Sequence, residues 1–281
     1  MRVIHSLAVR PQSQLRSAYE HFRLERQGDL VSPKTLEYYD YMLQPFLGWL
    51  EAEHPQRVGF EDLDVNLIRT YRAALASRPG PRGRLLSPKS VAEGHKSVLA
   101  FLRWAQREGY AVDQRCLELR RPRVPETEAT VFHARQLQQI LAACNPAYPQ
   151  EELAVRILVG SGVRASELCG LAAVGPDGLP DLMLDSLERN RAELRVRWEA
   201  GAKGRKSRRI PITPKLAVHI KRYEARHRPG VDCPALLVNQ RGHEFDRFGL
   251  DAMMDRLQRR VGFHVHAHAF RHTFATVATK M

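Results

Sequence analysis

A short proline- and arginine-rich segment divides the chain into two parts. Arg120-Arg121-Pro122-Arg123-Val124-Pro125 contains two prolines and three arginines without apolar periodicity, which is typical of an extended linker. Because the chain has 281 residues, each side is long enough to bury a core of its own. We therefore predict a helical domain at 12–118, a basic linker at 119–129 and a second domain at 130–281.

The part before the linker has the pattern of a helical bundle. Apolar residues recur at the spacing of one helix face after Ser32-Pro33-Lys34-Thr35 and again after Ser87-Pro88-Lys89-Ser90. Serine is a favourable N-cap, and proline suits the first helical position. Two further helices are predicted at Leu15–Leu24 and Val65–Leu75. Lys34 and Lys89 would lie at helix N-termini that attract anions, although capping alone explains the pattern equally well.

The part after the linker mixes helical and strand patterns. Leu194, Val196 and Trp198 alternate with arginines, and Ile210 and Ile212 alternate again beyond a cationic turn, which predicts a β-hairpin. Helices are predicted around Leu137–Leu141, over Leu153–Val159, after Thr213-Pro214, and after Asp246. The poorly patterned segment Val174–Arg189 is interpreted as a loop insertion. The predicted fold class is mostly α with a small β-sheet, that is, α+β.

The charge balance favours a polyanionic partner. Lys and Arg total 44 against 31 Asp and Glu, which gives a formal net charge of +13 and a pI near 10.0. Neutralising phosphates releases condensed counterions and drives binding, so nucleic acid is the favoured partner over a merely basic protein.

The remaining composition favours a cytoplasmic protein. Its four cysteines are far apart and form no C-x-x-C pair, so we expect reduced thiols: Cys116, Cys144, Cys169 and Cys233. We see neither the apolar core of a signal peptide nor an apolar run long enough for a bilayer.

Two basic segments have the residues needed to bind a phosphate. In Gly160-Ser161-Gly162-Val163-Arg164-Ala165-Ser166-Glu167-Leu168, a glycine turn precedes an arginine, whose planar fork can donate two parallel hydrogen bonds to a phosphate. The predicted hairpin tip is Lys203-Gly204-Arg205-Lys206-Ser207-Arg208-Arg209. A lysine on such a turn can reach a bridging phosphate oxygen and protonate a leaving group.

A third segment places an imidazole beside a guanidinium. His268-Ala269-Phe270-Arg271-His272-Thr273-Phe274-Ala275-Thr276 has His268 and Arg271 three residues apart, on one face of a helix. Together they can handle a proton and stabilise negative charge on the same phosphate. Taken singly, each of the three segments is also explained by a surface arginine, a solvated turn or a helix cap.

In this order the three segments resemble the motifs of the tyrosine recombinase (phage integrase) family. S-G-V-R-A-S-E-L resembles its first arginine box, K-G-R-K-S-R-R-I-P-I its lysine hairpin, and H-A-F-R-H-T-F-A-T its His-x-x-Arg box. The resemblance implies that Arg164 and Arg271 clamp the scissile phosphate and that Lys203 is the general acid, with Lys206 as the competitor. It further implies that His268 assists proton transfer and that Glu167 supports the site without reacting.

The resemblance also implies a fold, a partner and an assembly. The first half resembles the family's core-binding, SAM-like domain, which would form half of a clamp around double-stranded DNA. The implied assembly is a homotetramer on two DNA sites, and no cofactor is implied, because two arginines and a lysine supply the positive charge. Six residues are the candidates for DNA contact: Lys34, Lys89, Arg121, Arg123, Lys206 and Arg208.

One departure concerns the nucleophile. The family places a Gly-His pair and then a tyrosine after the His-x-x-Arg box, whereas this sequence ends at Thr279-Lys280-Met281. None of the eight tyrosines matches the nucleophile's position. We therefore expect a recombinase chain that lacks the C-terminal helices and is inactive by itself.

Three alternatives compete with this interpretation. The histidines at 264, 266, 268 and 272 raise the question of a metal, but there is no H-E-x-x-H pattern and Arg271 would repel a cation, so we predict no metal site. A non-catalytic DNA-binding protein would share the charge and the helical domain. A type IB topoisomerase-like enzyme would use related chemistry to relax supercoils.

Overall fold

The computed structural model describes residues 13–80, 83–126, 129–184, 191–199, 206–228, 230 and 232–279. The chain divides into two compact units, Met1–Thr127 and Glu128–Met281. Each unit has a hydrophobic cluster of its own. None of the helices described is long and apolar enough to cross a membrane.

In the described residues of the first unit the regular elements are helices, joined by loops that include one isolated bridge between Pro79 and Leu85. Its helices are α1 (Gln14–Gly28), α2 (Pro33–Glu53), α3 (Val65–Ser77), α4 (Pro88–Arg107) and the short α5 (Gln114–Leu117), with a 3₁₀ turn at Phe60–Asp62. The predicted caps are confirmed: Ser32 Oγ accepts from the Thr35 N–H at 3.3 Å and Ser87 Oγ from the Ser90 N–H at 3.2 Å. The long helix α4 carries much of the core, because its apolar residues are buried nearly from end to end.

The second unit combines helices with a small antiparallel sheet. The helices are α6 (Ala134–Ala143), α7 (Pro149–Ser161), α8 (Ala165–Cys169), α9 (Pro214–Arg226), α10 (Arg247–Val261) and α11 (Ala267–Ala278). The strands β1 (Leu182–Leu184), β2 (Ala192–Val196) and β3 (Arg208–Ile212) pair in the order β1-β2-β3. Helix α7 is the central element: its apolar residues are buried, and it packs against α9 and α11.

The predicted hairpin is confirmed as the β2–β3 pair. Just beyond β2, the Trp198 N–H donates to Ser207 Oγ at 3.0 Å and links the two arms. The predicted inward position of Trp198 is wrong, because strand β2 ends at Val196 and the indole is 49% exposed. Residues 200–205, which include Lys203, lie outside the described residues.

The interpretation of Val174–Arg189 as a loop insertion is wrong for part of the segment. Strand β1 lies within it and extends the sheet beside β2. The buried Asp181 precedes β1, accepts a hydrogen bond from the Ala172 N–H at 2.8 Å, and pairs with Arg195 and Arg197. A three-residue strand is too short to show a clear polar–apolar alternation in the sequence. The ion pairs of Asp181 attach the start of this strand to Arg195 and Arg197, which come later in the chain.

Candidate functional site

The turn between α7 and α8 fixes the position of Arg164. Helix α7 ends at Gly162, whose φ of +62° is in the left-handed region that favours glycine. A Cβ on Gly162 would lie 2.3 Å from a ring carbon of Phe274 on α11. The close approach of α11 and the backbone conformation therefore both require glycine here. Two residues later, Arg164 is the N-cap residue of α8.

A buried carboxylate joins two arginines. Glu167 is fully buried, and its two oxygens accept from the backbone N–H of Arg164 at 2.7 Å and from Arg164 Nη1 at 2.8 Å. Arg208 on β3 donates to the same carboxylate with both terminal nitrogens, at 2.8 and 2.7 Å. The carboxylate thus fixes the orientation of the Arg164 side chain and attaches it to the sheet.

The contacts of Glu167 keep it ionised. Burial by itself raises the pKa of this carboxyl, but the hydrogen bonds from Arg208 and Arg164 outweigh burial and lower the pKa to about 2. The same contact with Glu167 raises the pKa of Arg208. The cluster therefore keeps an internal negative charge that offsets one of its guanidinium groups.

The third arginine comes from helix α11. Arg271 Nη1 donates to the carbonyl oxygen of Gly162, so the guanidinium is held at the turn that precedes Arg164. Burial and then the positive charge of Arg164 lower the pKa of Arg271. Arg208 and Arg271 also line a shallow cavity of about 420 Å³ with Phe274. Three guanidinium groups and one carboxylate carry a net formal charge of +2, an arrangement suited to a phosphate.

The histidines of this region lie at the start of α11. The cap of α11 is His266, whose Nδ1 accepts from the Ala269 N–H at 3.3 Å, so the alternative reading of His268 as a cap is wrong. His268 is exposed, and its ring centroid lies 4.3 Å from that of His272. Burial and then the nearby histidines, led by His264, lower the pKa of His266. Within the described ranges, no three His, Cys, Asp or Glu side chains are grouped so as to hold a metal ion.

The structure does not bring every predicted site residue to this cluster. It brings together Arg164, Glu167 and Arg271, and it adds Arg208, which was predicted only as a DNA contact. Lys203 lies outside the described residues, whereas Lys206 is described and exposed. Sequence reasoning missed the pairing of Arg208 with Glu167, because the two residues are 41 positions apart and no local pattern connects them.

The two tyrosines of the second unit lie on α9 and before the first turn of α7. Tyr223 is buried on α9, and its hydroxyl accepts from the Val238 N–H at 3.4 Å. Tyr148 precedes α7 at the end opposite the turn that leads to Arg164. A helix rises about 1.5 Å per residue, so the length of α7 separates Tyr148 from the cluster by roughly 20 Å.

Predicted DNA contacts of the first unit lie near one glutamate, Glu93, on a surface of α2 and α4 that we call the basic face. Glu93 on α4 accepts from the Tyr38 hydroxyl at 2.9 Å and from Arg121 Nη2. The exposed Lys34 precedes Tyr38 by one helical turn, and the exposed Lys89 precedes Glu93 by one turn, so each lysine shares a helix face with its neighbour.

The tyrosine at the centre of this face keeps Glu93 ionised. The hydrogen bond from Tyr38 is the main cause that lowers the pKa of Glu93. Arg123, the remaining candidate of this unit, is exposed.

Comparisons with known proteins identify the family of this chain. The sequence model of the phage integrase family matches residues 130–280, which are more than half of the chain. The tyrosine recombinase XerC of Oceanobacillus iheyensis is 24% identical over 271 residues, which cover 92% of this chain and 79% of that protein. The tyrosine recombinase XerC of Pelobacter propionicus is 29% identical over 273 residues, with coverages of 94% and 80%.

A solved structure shows the same fold. A lambda integrase tetramer bound to a Holliday junction superposes with a TM-score of 0.68 at 15% identity, covering 95% of this chain and 73% of that one. The buried glutamate, its two arginines and the arginine of α11 thus lie in a recombinase fold. The chain belongs to the phage integrase family.

Proposed function

We propose that this protein is a site-specific DNA recombinase whose chemistry proceeds through a 3′-phosphotyrosyl intermediate. The observation that carries the proposal is the convergence of Arg164 and Arg271 on the Gly162 turn, with Glu167 fixing the Arg164 side chain. Two fixed guanidinium groups can bind the non-bridging oxygens of one phosphate and stabilise the charge of a pentacoordinate transition state.

The remaining roles follow from the charge that moves during strand cleavage. A tyrosine oxygen attacks phosphorus and forms a new P–O bond, while the bond to the 5′-oxygen breaks. Lys203 donates a proton to that leaving oxygen, with Lys206 as the alternative donor, and His268 assists proton transfer. The bond energy is kept in the phosphotyrosyl link, and attack by a 5′-hydroxyl reverses the step. We assign the attacking hydroxyl to none of the tyrosines in this sequence.

The partner in this proposal is double-stranded DNA, bound by both parts of the chain. The helical part at 12–118 acts as the core-binding domain, the segment 119–129 as the basic linker and residues 130–281 as the catalytic domain. Lys34, Lys89, Arg121 and Arg123 contact DNA from the first two, and Lys206 and Arg208 do so from the hairpin. A homotetramer on two DNA sites and a cytoplasmic location complete the proposal. The tetramer of lambda integrase on a Holliday junction supports that assembly by its shared fold.

A non-catalytic DNA-binding protein is the second candidate. The position of Tyr148 at the far end of α7 and the buried, hydrogen-bonded hydroxyl of Tyr223 favour it. Such a protein would use the same basic surfaces to occupy recombination sites without cutting them.

The decisive experiment tests for a covalent complex. The protein encoded by the complete gene is first used to select its preferred site from a random-sequence duplex library, because none of the tyrosines at 1–281 is assigned as the nucleophile. It is then incubated with that site carrying a nick, and covalent protein–DNA complexes are sought on denaturing gels. A recombinase gives a complex that is lost in Arg164→Ala and Arg271→Ala and kept in Arg226→Ala, whose side chain is exposed in the last turn of α9.

Each other result has a defined meaning. Site-specific binding without a covalent complex rejects the recombinase and supports the non-catalytic candidate. Absence of DNA binding rejects both. A complex that survives Arg164→Ala and Arg271→Ala contradicts the proposed roles of these arginines.

A further inference from the structure

Helix α3 and the segment after α5 enclose a groove of about 1020 Å³ in the first unit, which we call the α3 groove. Five arginines line it: Arg69, Arg72, Arg115, Arg120 and Arg121. Its acidic lining residues are Asp64 and Glu118, so the formal charge of the lining is +3. Asp64 is also occupied as the N-cap of α3, where it accepts from the Leu67 N–H at 2.8 Å.

Three of these arginines make no ion pair with any carboxylate of the described chain. Arg72 Nη1 donates to the backbone carbonyl of Arg120 at 3.3 Å, and Arg69 Nη1 lies 3.5 Å from Asn66 Oδ1. Arg72 and Arg69 are three residues apart on α3 and share one face. By contrast, each arginine of α1 forms an ion pair: Arg16, Arg23 and Arg26. Three arginines without an ion pair among the described residues therefore lie together at the groove.

The charge of the groove reaches the interior beneath it. His95 on α4 is 2% exposed, and its Nε2 has no hydrogen-bond partner. Burial lowers the pKa of His95, and the charges of Arg72, Arg103 and Arg121 lower it further. Two of these arginines line the groove. Burial and the charge of the groove thus both disfavour a positive charge on this imidazole.

The groove is continuous with the basic face of α2 and α4. Arg121 lines the groove and at the same time donates to Glu93, which also accepts from the Tyr38 hydroxyl. Lys89 lies one turn before Glu93 on α4. Contacts within this unit therefore join Tyr38 and Glu93 to the α3 groove through Arg121, and the two predicted lysines lie one helical turn from Tyr38 and Glu93.

We propose that the α3 groove binds the phosphate backbone of DNA, using Arg69, Arg72 and Arg120 as contacts additional to those named above. Guanidinium groups suit phosphate oxygens because their donors match them in pairs. A duplex is favoured over an acidic peptide because of the continuity with the basic face. The inference rests on the proposed DNA-binding function and extends it to a surface that the motifs do not indicate.

The test compares two charge-matched variants of the full chain. Arg69→Gln/Arg120→Gln removes two groove charges, and Arg16→Gln/Arg107→Gln removes two charges from elsewhere in the same unit. Arg16 already pairs with Glu51, and Arg107 is exposed at the end of α4. The affinities for a long mixed-sequence duplex and for poly-glutamate are measured over a range of salt concentrations, and thermal melts verify that all the chains are folded.

The expected result is a smaller salt dependence for the groove variant alone. Each phosphate contact contributes about 0.9 to the slope of log affinity against log salt, so two contacts lower the slope by roughly 1.8. If the non-electrostatic part is unchanged, affinity at about 0.1 M salt falls on the order of 60-fold. The control variant should stay close to the unmodified chain.

Four outcomes overturn the inference. Slopes that are equal in the two variants and the unmodified chain show that the groove does not contact DNA, while the proposed function stands. Equal losses in both variants reveal a general charge effect. Loss of poly-glutamate binding with unchanged DNA binding assigns the groove to an acidic peptide instead. An unmodified chain that binds no duplex refutes the proposed function and this inference together.

Discussion

Replacement of Arg208 by methionine tests how the buried carboxylate of Glu167 is stabilised. Methionine keeps an apolar stem of similar length but removes the charge and both hydrogen bonds to Glu167. Removing one partner of a buried ion pair costs about 3–5 kcal/mol, because the other charge stays buried without compensation. Arg164 still donates two hydrogen bonds to Glu167, and the Arg208 side chain is 35% exposed. We therefore expect Arg208→Met to lower the free energy of unfolding by about 2–4 kcal/mol.

The pH dependence of this loss has a defined sign. The pKa of Glu167 is lowered to about 2 in the folded protein, so the carboxylate contributes stability above its ordinary pKa of 4.5. That contribution disappears as the pH falls through the folded pKa. Without Arg208 the folded pKa of Glu167 rises, and less stability remains to be lost. The difference in free energy of unfolding between the unmodified chain and the variant should therefore become smaller as the pH falls from about 5 to about 2.

Urea denaturation followed by circular dichroism measures both effects. The matched control is Arg209→Met, since Arg209 is the next residue on β3 but is 63% exposed and 3.9 Å from Glu193. An exposed pair of that kind contributes about 0–1 kcal/mol. Adding Glu167→Gln to Arg208→Met should recover part of the loss, because no uncompensated charge then remains buried. Equal stabilities for Arg208→Met and Arg209→Met would refute the reasoning.

Two further substitutions test local geometry. Gly162→Ala should lower the free energy of unfolding by at least about 1 kcal/mol more than Gly109→Ala does, as measured by thermal melts. Both glycines have positive φ, but only a Cβ at Gly162 would overlap Phe274. Similar melting temperatures for the two variants would contradict the overlap. Ser87→Ala should lower the free energy of unfolding by about 1 kcal/mol through loss of the α4 N-cap, and Ser87→Asp should preserve it. An unchanged melt for Ser87→Ala would show that the cap contributes nothing.

Features that depend on residues within one helical turn were predictable from the sequence. Four predicted helix starts are confirmed by side-chain caps: Ser32, Ser87, Thr213 and Asp246. A cap needs only a short polar side chain and the free N–H groups of the following turn, so the local sequence contains all the information. The β2–β3 pairing was predictable for a similar reason, since its strands are close in the chain and alternate in polarity.

Features that depend on distant residues were not predictable. Strand β1 was not predicted because its three residues show no clear alternation of polar and apolar side chains. The burial of Arg197 depends on its ion pair with Asp181, which precedes that strand. The pairing of Arg208 with Glu167 has the same cause. The resemblance to the family motifs pointed to Arg164, Glu167 and Arg271 as site residues. It did not indicate that Arg208 on β3 also donates hydrogen bonds to the Glu167 carboxylate.

The contact between Arg271 and the Gly162 carbonyl has a consequence for synthesis of the chain. Ribosomes complete α7 and Arg164 long before α11 emerges, and α11 also supplies Thr273, whose hydroxyl accepts from the Phe132 N–H at 2.9 Å. Contacts of such large sequence separation form slowly, because the loop between them must close first. A nascent chain therefore contains Arg164 and Glu167 long before Arg271, and the phosphate-binding centre forms only after α11 has been synthesised.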